Sequence, residues 1–471
     1  MSDYITLYGG VGKIGGNIIL LEANEERILL DFGKDFEQYA KYFEYPFNLP
    51  TTSLEKELIK TNIVPKIKSH SGEELRILAN FEDNKILDEG DVDLNGVFIS
   101  HAHYDHCGLY SLLKSSAKVY MGKMSKLIIN CLQSTKREIS IEDKMFWIKN
   151  EEKKEPRIKL SLFSNKERIN LGKFNVFPMG VDHSIPGTYA FILNTGNSTL
   201  AYTADFRIHG TAKNLTKEFI EFAEEQEVDA LICEGTNLGM GRVESEKDVM
   251  REIEEILDKH YSLRNRLVIA EVRSTDLDRV GILYDIARSK DLEILISTKL
   301  AYLINEIRKE GLDRRLMSSL PDLNRIKILS KKEKPDIWER ELIQKYETVN
   351  SKDLENPKKP TLLIDNSRVD PFELKLPKLT LYILSISEHT FEEEQFDQER
   401  FLNSLLLNGI IVYRVHSSGH VYPLELFEMV KKIGPKKLIP IHTEHPHTFK
   451  ELFEDVTEVI IPEKGKSIRI A

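Results

Sequence analysis

Four side chains able to bind a metal ion sit close together at His101, His103, Asp105 and His106, in the order HxHxDH. The apolar run Val97-Phe98-Ile99 leads into them, and Leu109, Leu112 and Leu113 follow at helical spacing. Strand, polar loop, helix is a common way to hold reactive side chains at a sheet edge. His101 and His103 are two apart in an extended segment, so both face one way and can share an ion. Asp105 and His106 begin the turn and can face a second ion alongside. Imidazole nitrogen with carboxylate oxygen suits zinc, or manganese where carboxylate and water dominate.

Completing two sites needs further donors. His183 follows the apolar run Phe174-Asn175-Val176-Phe177, Asp205 follows Thr199-Leu200-Ala201-Tyr202, and His442 follows Leu438-Ile439-Pro440-Ile441. An Asp can bridge two ions through its two oxygens, and Asp205 is the candidate bridge. His442 can complete the second site. Two ions roughly 3.5–4 Å apart hold a bridging hydroxide and clamp a phosphate during in-line displacement.

The elements around these donors must bring them together. Ile5–Tyr8, Asn17–Glu22 and Arg27–Phe32 read as consecutive short strands, which predicts an antiparallel or mixed sheet. Tyr189–Leu193 and Thr199–Thr203 read as a strand pair around the turn Thr195-Gly196-Asn197. Polar residues repeatedly end apolar strands, at Asp31, His101, Asp205 and Glu234. If those strands share a sheet, the residues meet at one edge. From about Gly235 to Asn408 helical patterns alternate with short strands such as Leu267–Ala270 and Thr361–Ile364, an α/β insert with βαβ character. The aromatic run Phe36, Tyr39, Tyr42, Phe43, Tyr45 and Phe47 is expected to form a helix and loop packed on the body, with a base-stacking surface as the sharper alternative.

Composition narrows the class. The 471 residues are 41% hydrophobic and 30% charged, ordinary for a globular protein with a sizeable core. The net charge of −10 is not that of a protein that coats nucleic acid non-specifically. No apolar run approaches the roughly 18 residues of a membrane span. The first residues lack the plan of a secretion signal, and three cysteines without CxxC spacing make no disulfide framework, so a cytoplasmic location is expected. Cys107 is expected to be a small buried residue, and His70, His209, His260 and His389 to be structural or solvated. The charge runs Lys331–Lys334 and Lys436-Lys437 are expected to be solvated faces.

Taken together, these motifs resemble the metallo-β-lactamase superfamily, and within it the β-CASP nucleases of the ribonuclease J family. Asp31 in Leu-Leu-Asp-Phe-Gly matches the early Asp motif. HxHxDH matches His101 to His106. His183 in His-Ser-Ile-Pro, Asp205, and Glu234 in Cys-Glu-Gly-Thr match the next three motifs. Ser418-Gly419-His420 and the final His442-Thr-Glu-His-Pro-His447 complete the set. Three features depart from it: Ala102-His103-Tyr104 inside the first metal motif, a sequence that stops at Ala471, and a longer segment from Lys34 to Asn95.

The resemblance implies an α/β fold, an αββα metallo-β-lactamase sandwich with an inserted β-CASP domain. The expected organisation is residues 1–235 and 409–471 for the sandwich and 236–408 for the insert. It implies one ion on His101, His103, His183 and Asp205, and a second on Asp105, His106, Asp205 and His442. Zn²⁺ is the expected ion and Mn²⁺ the alternative. It implies catalytic roles for Asp31, Asp105, Glu234 and His420: Asp31 orients a ligand His, and His420, paired with Glu234, protonates the leaving oxygen or binds phosphate. Ser274, Arg279, Ser418, Gly419, Thr443 and His447 are the implied substrate contacts. RNA is the expected partner, His442 favouring it over DNA, with no membrane and with dimerisation left open. The competing readings are a DNA nuclease on the same scaffold, a small-molecule metallohydrolase, and a metal-stabilised RNA-binding scaffold without catalysis.

Overall fold

The computed structural model describes residues 2–43, 54–82, 85–87, 90–135, 158–239, 244–260, 267–330, 335–365, 375–386 and 392–470. Tyr45, Phe47, His389 and the run Lys331–Lys334 lie outside them. The described residues divide into two compact units, one within 1–129, 138–241 and 419–471, the other within 130–137 and 242–418. Together they form a mixed α/β fold with several multi-stranded sheets.

The first unit is built on two seven-stranded sheets. One runs in the order Ser467–Arg469, Asp3–Leu7, Ile18–Ala23, Glu26–Phe32, Gly96–Ile99, Val119–Gly122, Leu160–Phe163. Its first four strands pair antiparallel and the rest parallel, the mixed sheet expected from the short early strands. The other runs Glu458–Val459, Lys437–Ile441, Ala230–Glu234, Thr199–Tyr202, Thr188–Asn194, Phe174–Val181, Ile169–Leu171. The expected strand pair around Thr195–Asn197 is present, with Phe191 opposite Tyr202 and Asn194 opposite Thr199.

Alternation explains how the two sheets meet. Successive strand residues point to opposite faces. Ile5, Leu7, Ile19, Leu21, Ile28 and Leu30 of the first sheet pack against Val176, Phe191, Leu193, Leu200, Ile232 and Ile439 of the second. The intervening residues of the second sheet, among them Ala190, Ile192, Ala201, Leu231, Cys233 and Leu438, lie beneath the helices Lys213–Glu225, Pro423–Ile433 and Pro446–Phe453. Each fully buried side chain of this kind contributes about 1.5–3 kcal/mol. The helix Pro423–Ile433 starts on a proline, whose missing N–H costs nothing there. It ends at Gly434, whose φ of 60° suits glycine.

Strand direction decides where the polar ends go. Phe174–Val181, Thr199–Tyr202, Ala230–Glu234 and Lys437–Ile441 all run the same way. Their carboxyl ends deliver His183, Asp205, Glu234 and His442 to one edge. The parallel strands Glu26–Phe32 and Gly96–Ile99 deliver Asp31 and His101 from the facing sheet. The residues therefore meet at one edge although the strands do not share one sheet. The edge is composite because hydrophobic alternation stacks two sheets face to face, and no one sheet carries all the strands.

The second unit holds one seven-stranded sheet in the order Thr348–Asn350, Lys327–Ser330, Glu293–Ser297, Thr361–Asp365, Leu267–Glu271, Leu381–Leu384, Ile411–Arg414. All its pairings are parallel. Its central strands, such as Leu267–Glu271 and Thr361–Asp365, are buried throughout, as parallel strands covered on both faces must be. Among the described residues no helix is long and apolar enough to cross a membrane.

Candidate metal centre

His101 and His103 lie in the extended segment after Gly96–Ile99, and Asp105 and His106 in the one-turn helix Tyr104–Cys107. The rest of the chain fixes that turn closely. Asn17 donates its backbone N–H to the Asp105 carbonyl at 2.9 Å, and Lys34 to the Tyr104 carbonyl at 2.9 Å. A side chain on Gly33 would place its first carbon 1.7 Å from the Asp105 carbonyl oxygen, so only glycine lets the two segments touch.

Asp31 reaches the centre through a bulge. Ile18 faces Phe32 and Ile19 faces Leu30, which leaves Asp31 as the extra residue, with a φ of 57°. Bulges re-aim side chains beside functional sites. The Asp31 carboxylate accepts four hydrogen bonds, from Ser100 N (2.7 Å), Ser100 Oγ (2.9 Å), Tyr202 Oη (2.7 Å) and His106 Nδ1 (2.8 Å). Ala204 (φ 50°) and His442 (φ 53°), beside and within the donor set, also hold the left-handed conformation. Such residues cost about 1–3 kcal/mol each and persist where the surroundings over-determine them.

Among the described residues Glu234, His420 and His442 form one possible donor group, and two larger groups share Asp205. His101, His103, His183 and Asp205 form one, and Asp105, His106, Asp205 and His442 the other, with the ligand atoms of each group within 4.8 Å of one another. In the first, His103 Nδ1 lies 3.1 Å from His101 Nε2 and 3.2 Å from His183 Nε2, and Asp205 Oδ2 lies 3.7 and 3.8 Å from those two Nε2 atoms. In the second, His106 Nε2 is 3.1 Å from Asp205 Oδ2 and His442 Nε2 is 3.1 Å from Asp105 Oδ2. Tetrahedral zinc with nitrogen ligands at roughly 2.0–2.1 Å sets neighbouring ligand atoms about 3.3 Å apart, inside this spread.

The outward nitrogens are spoken for, as metal-binding histidines require. His183 Nδ1 donates to the Gly419 carbonyl at 2.6 Å, His106 Nδ1 binds Asp31, and His101 Nδ1 lies 3.0 Å from Ser100 Oγ. His106 Nε2, beside Asp205 Oδ2, and Asp205 Oδ1 are buried without a hydrogen-bond partner among the described residues. Buried polar atoms are normally satisfied, so orphaned ones within a cluster of donors fit an ion site. The donor set fits divalent metal at both positions.

Burial and mutual charge shift the titration of the same groups. Burial pulls the imidazoles of His101 and His183 well below the ordinary histidine range, and the neighbouring imidazoles push the same way. Burial also disfavours charge on His106, yet Asp205, Asp105 and Asp31 together hold it well above that range. Burial opposes charge on Asp205 and Asp105 too, but His106 and His442 hold both below the usual carboxylate range. Glu234 Oε1 lies 3.1 Å from His420 Nδ1. Opposed by burial but facing Glu234 and Asp205, the His420 imidazole is pushed up to about 9.

The implied substrate contacts fare unevenly. Gly419 supplies the carbonyl that holds His183, and a side chain there would crowd Ser184. Ser418 is half-buried, and His447 is exposed at the start of the helix Pro446–Phe453. Thr443 is buried, and its hydroxyl accepts the His445 N–H at 3.1 Å, a turn within its own loop. Ser274 sits half-buried in the second unit, after the strand Leu267–Glu271. Arg279 is a correction. It is 0% exposed, its Nε and Nη2 donate to Glu246 at 3.0 and 2.9 Å, and Nη1 binds the Ser385 hydroxyl. A guanidinium committed to a buried carboxylate has no face left for phosphate.

Ser100, Tyr202, Asn17 and Thr236 were missed in the sequence. Tyr202 Oη accepts a hydrogen bond from the Asn17 side-chain amide at 3.0 Å and donates its own to Asp31. The signal available was a tyrosine ending an otherwise apolar strand, three residues before Asp205.

No protein-family model matches the chain. It is 24% identical over 376 residues to ribonuclease J of Sinorhizobium meliloti, covering 78% of this chain and 60% of that protein. It is 23% identical over 460 residues to ribonuclease J of Mycoplasma genitalium, covering 93% of this chain and 68% of that one. A probable RNase of Methanocaldococcus jannaschii is 31% identical over 182 residues, 36% of this chain and 41% of the relative. The chain thus spans about three fifths to two thirds of the full-length ribonuclease J relatives named here. A crystal structure of a protein of unknown function from Enterococcus faecalis superposes with a TM-score of 0.75 at 23% identity, covering 100% of both chains. That likeness supports the fold alone. The ribonuclease relatives, set beside the donor motifs, support the chain's resemblance to ribonuclease J and the metallo-β-lactamase β-CASP proteins.

Proposed function

We propose that the chain is a metal-dependent ribonuclease that hydrolyses RNA phosphodiester bonds. One observation carries the reading: two four-donor groups share Asp205, in a chain whose relatives are named ribonucleases. On this reading the first unit is the metallo-β-lactamase sandwich, expected over 1–235 and 409–471, and the second is the β-CASP insert, with the strand Ile411–Arg414 moving the insert's end from 408 to about 418; the chain works in the cytoplasm.

Two divalent ions held there, zinc first and manganese as the alternative, would supply an activated water and neutralise charge on the scissile phosphate. The chain's own residues do the rest. His101, His103 and His183 present nitrogen on one side, and Asp105, His106 and His442 complete the other. Asp31 holds His106 in the tautomer whose Nε2 lone pair faces inward, and so acts as a positioning residue. With His420 Nδ1 committed to Glu234, Nε2 is the atom from which that imidazolium gives its proton to the leaving oxygen. The half-exposed His103, Asp105 and His420 form the mouth at which substrate would arrive.

The test incubates labelled RNA and sequence-matched DNA with the full chain and zinc or manganese. RNA cleavage by wild type, abolished in the double variant Asp105→Ala with His106→Ala, is expected. Cleavage of DNA alone, or undiminished cleavage by the variant, would overturn the reading. Products from 5′-monophosphate and 5′-triphosphate RNA separate trimming from internal cutting.

A further inference from the structure

His442 needs its Nε2 lone pair directed inward, and therefore a proton on Nδ1. His106 and His183 settle the same requirement through a carboxylate and a carbonyl, both pure acceptors. His442 has neither. Its Nδ1 lies 2.9 Å from the hydroxyl of Thr236, a group that can donate as well as accept and would by itself leave the tautomer undecided.

Glu234 removes the ambiguity. The Thr236 hydroxyl is 2.7 Å from Glu234 Oε2, and the Thr236 backbone N–H donates to the same oxygen at 3.1 Å, which fixes the side chain's rotamer. The same hydroxyl also lies 3.3 Å from the His442 carbonyl and 3.2 Å from His420 Nδ1, but Glu234 is nearest; a carboxylate only accepts, and a hydroxyl has one proton, so that proton goes to Glu234. Thr236 Oγ1 must then accept from His442. The imidazole is set as Nδ1–H, with Nε2 open toward Asp105 at 3.1 Å and Asp205 at 3.7 Å. Glu234 is anchored in turn by Phe206 N and His420 Nδ1, both at 3.1 Å from Oε1.

We propose that Thr236 is a positioning residue. It relays the acceptor character of Glu234 to His442 and so prepares the half of the centre made by Asp105, His106, Asp205 and His442. The inference rests on the reading that the centre takes two divalent ions. It gives Glu234 a second task, alongside its pairing with His420, and makes the affinity of one ion depend on a residue that touches neither ion.

Two measurements on the full chain test it. Metal-stripped wild type, Thr236→Val and Thr236→Ser are titrated with Zn²⁺ by calorimetry, with thermal unfolding of each stripped protein as the check on folding. Two ions are expected for wild type. Thr236→Val should bind the first as wild type does and the second about 10–100-fold more weakly, the usual cost of losing an outer partner of a ligand histidine. Thr236→Ser, which keeps the hydroxyl, should restore the second ion. Unchanged binding of both ions by Thr236→Val, or equal weakening of both, would overturn the relay. Independently of any variant, ¹⁵N shifts of the wild-type imidazoles should report His442 as the Nδ1–H tautomer, and an Nε2–H tautomer overturns the relay even if two ions bind. A wild type that binds no zinc, with His442 still Nδ1–H, contradicts the two-ion reading instead.

Discussion

Each compact unit buries charge at the carboxyl ends of parallel strands, and the two do it differently. In the second unit Arg279 is locked onto Glu246 and Ser385, and Glu271 accepts the Tyr382 hydroxyl at 2.6 Å. There cation meets anion. In the first unit the imidazoles and carboxylates turn their outer atoms to partners and their inner atoms toward one another. His106 Nε2 and Asp205 Oδ1 are left unsatisfied there. Burial of polar groups is therefore no mark of a site by itself; the mark is a deficit that an ion can fill.

That contrast can be broken from either side. The largest effect is expected at Asp205, the carboxylate common to both donor groups. Asp205→Ala should cost both ions and cut RNA cleavage by about 10³-fold or more, the scale of losing a main electrostatic stabiliser. Retention of one tightly bound ion would show that the groups do not share it. On the other side, Arg279→Met leaves Glu246 buried without its cation. It should destabilise the protein by about 3–5 kcal/mol in denaturant unfolding while zinc stoichiometry stays at two. Adding Glu246→Gln should recover part of that loss. If Arg279→Met instead impaired RNA binding with stability intact, the cluster would be a substrate surface after all.

Smaller effects sharpen the comparison. Tyr202→Phe removes one of four donors to Asp31 and should cost about 1 kcal/mol of stability, with both ions still bound. The exposed His447 and half-buried Ser274 are two of the implied contacts with access to solvent. Alanine at either should raise KM by about fivefold with kcat unchanged, the value of one hydrogen bond made equally in ground and transition states.

How far the sequence could be read depended on the range of each interaction. HxHxDH was legible because its donors are neighbours on one strand–turn–helix. His183, Asp205 and His442 were legible because each ends an apolar strand. The composite edge was not, since face-to-face stacking of two sheets is a property of the whole alternation pattern. Thr236 and Tyr202 escaped for a similar reason. Their partners His442 and Asp31 lie 206 and 171 residues away, and a hydroxyl on a buried strand end carries no spacing signal. Arg279 misled because an arginine near Ser274 and Thr275 suits phosphate. What captured it was Glu246, 33 residues upstream, at the start of the capped helix Glu246–Lys259. The aromatic run was only partly legible. Tyr39 is buried under the Lys34 ammonium, which sits 3.3 Å from its ring centre, whereas Tyr42 is half exposed.

The central claim is that donors spread from His101 to His442 form a paired ion site. Elemental analysis of the full chain after equilibration with zinc and removal of unbound metal tests it most directly. Two zinc ions per chain are predicted, falling to none in Asp205→Ala. A folded wild-type chain that retains no zinc would contradict it.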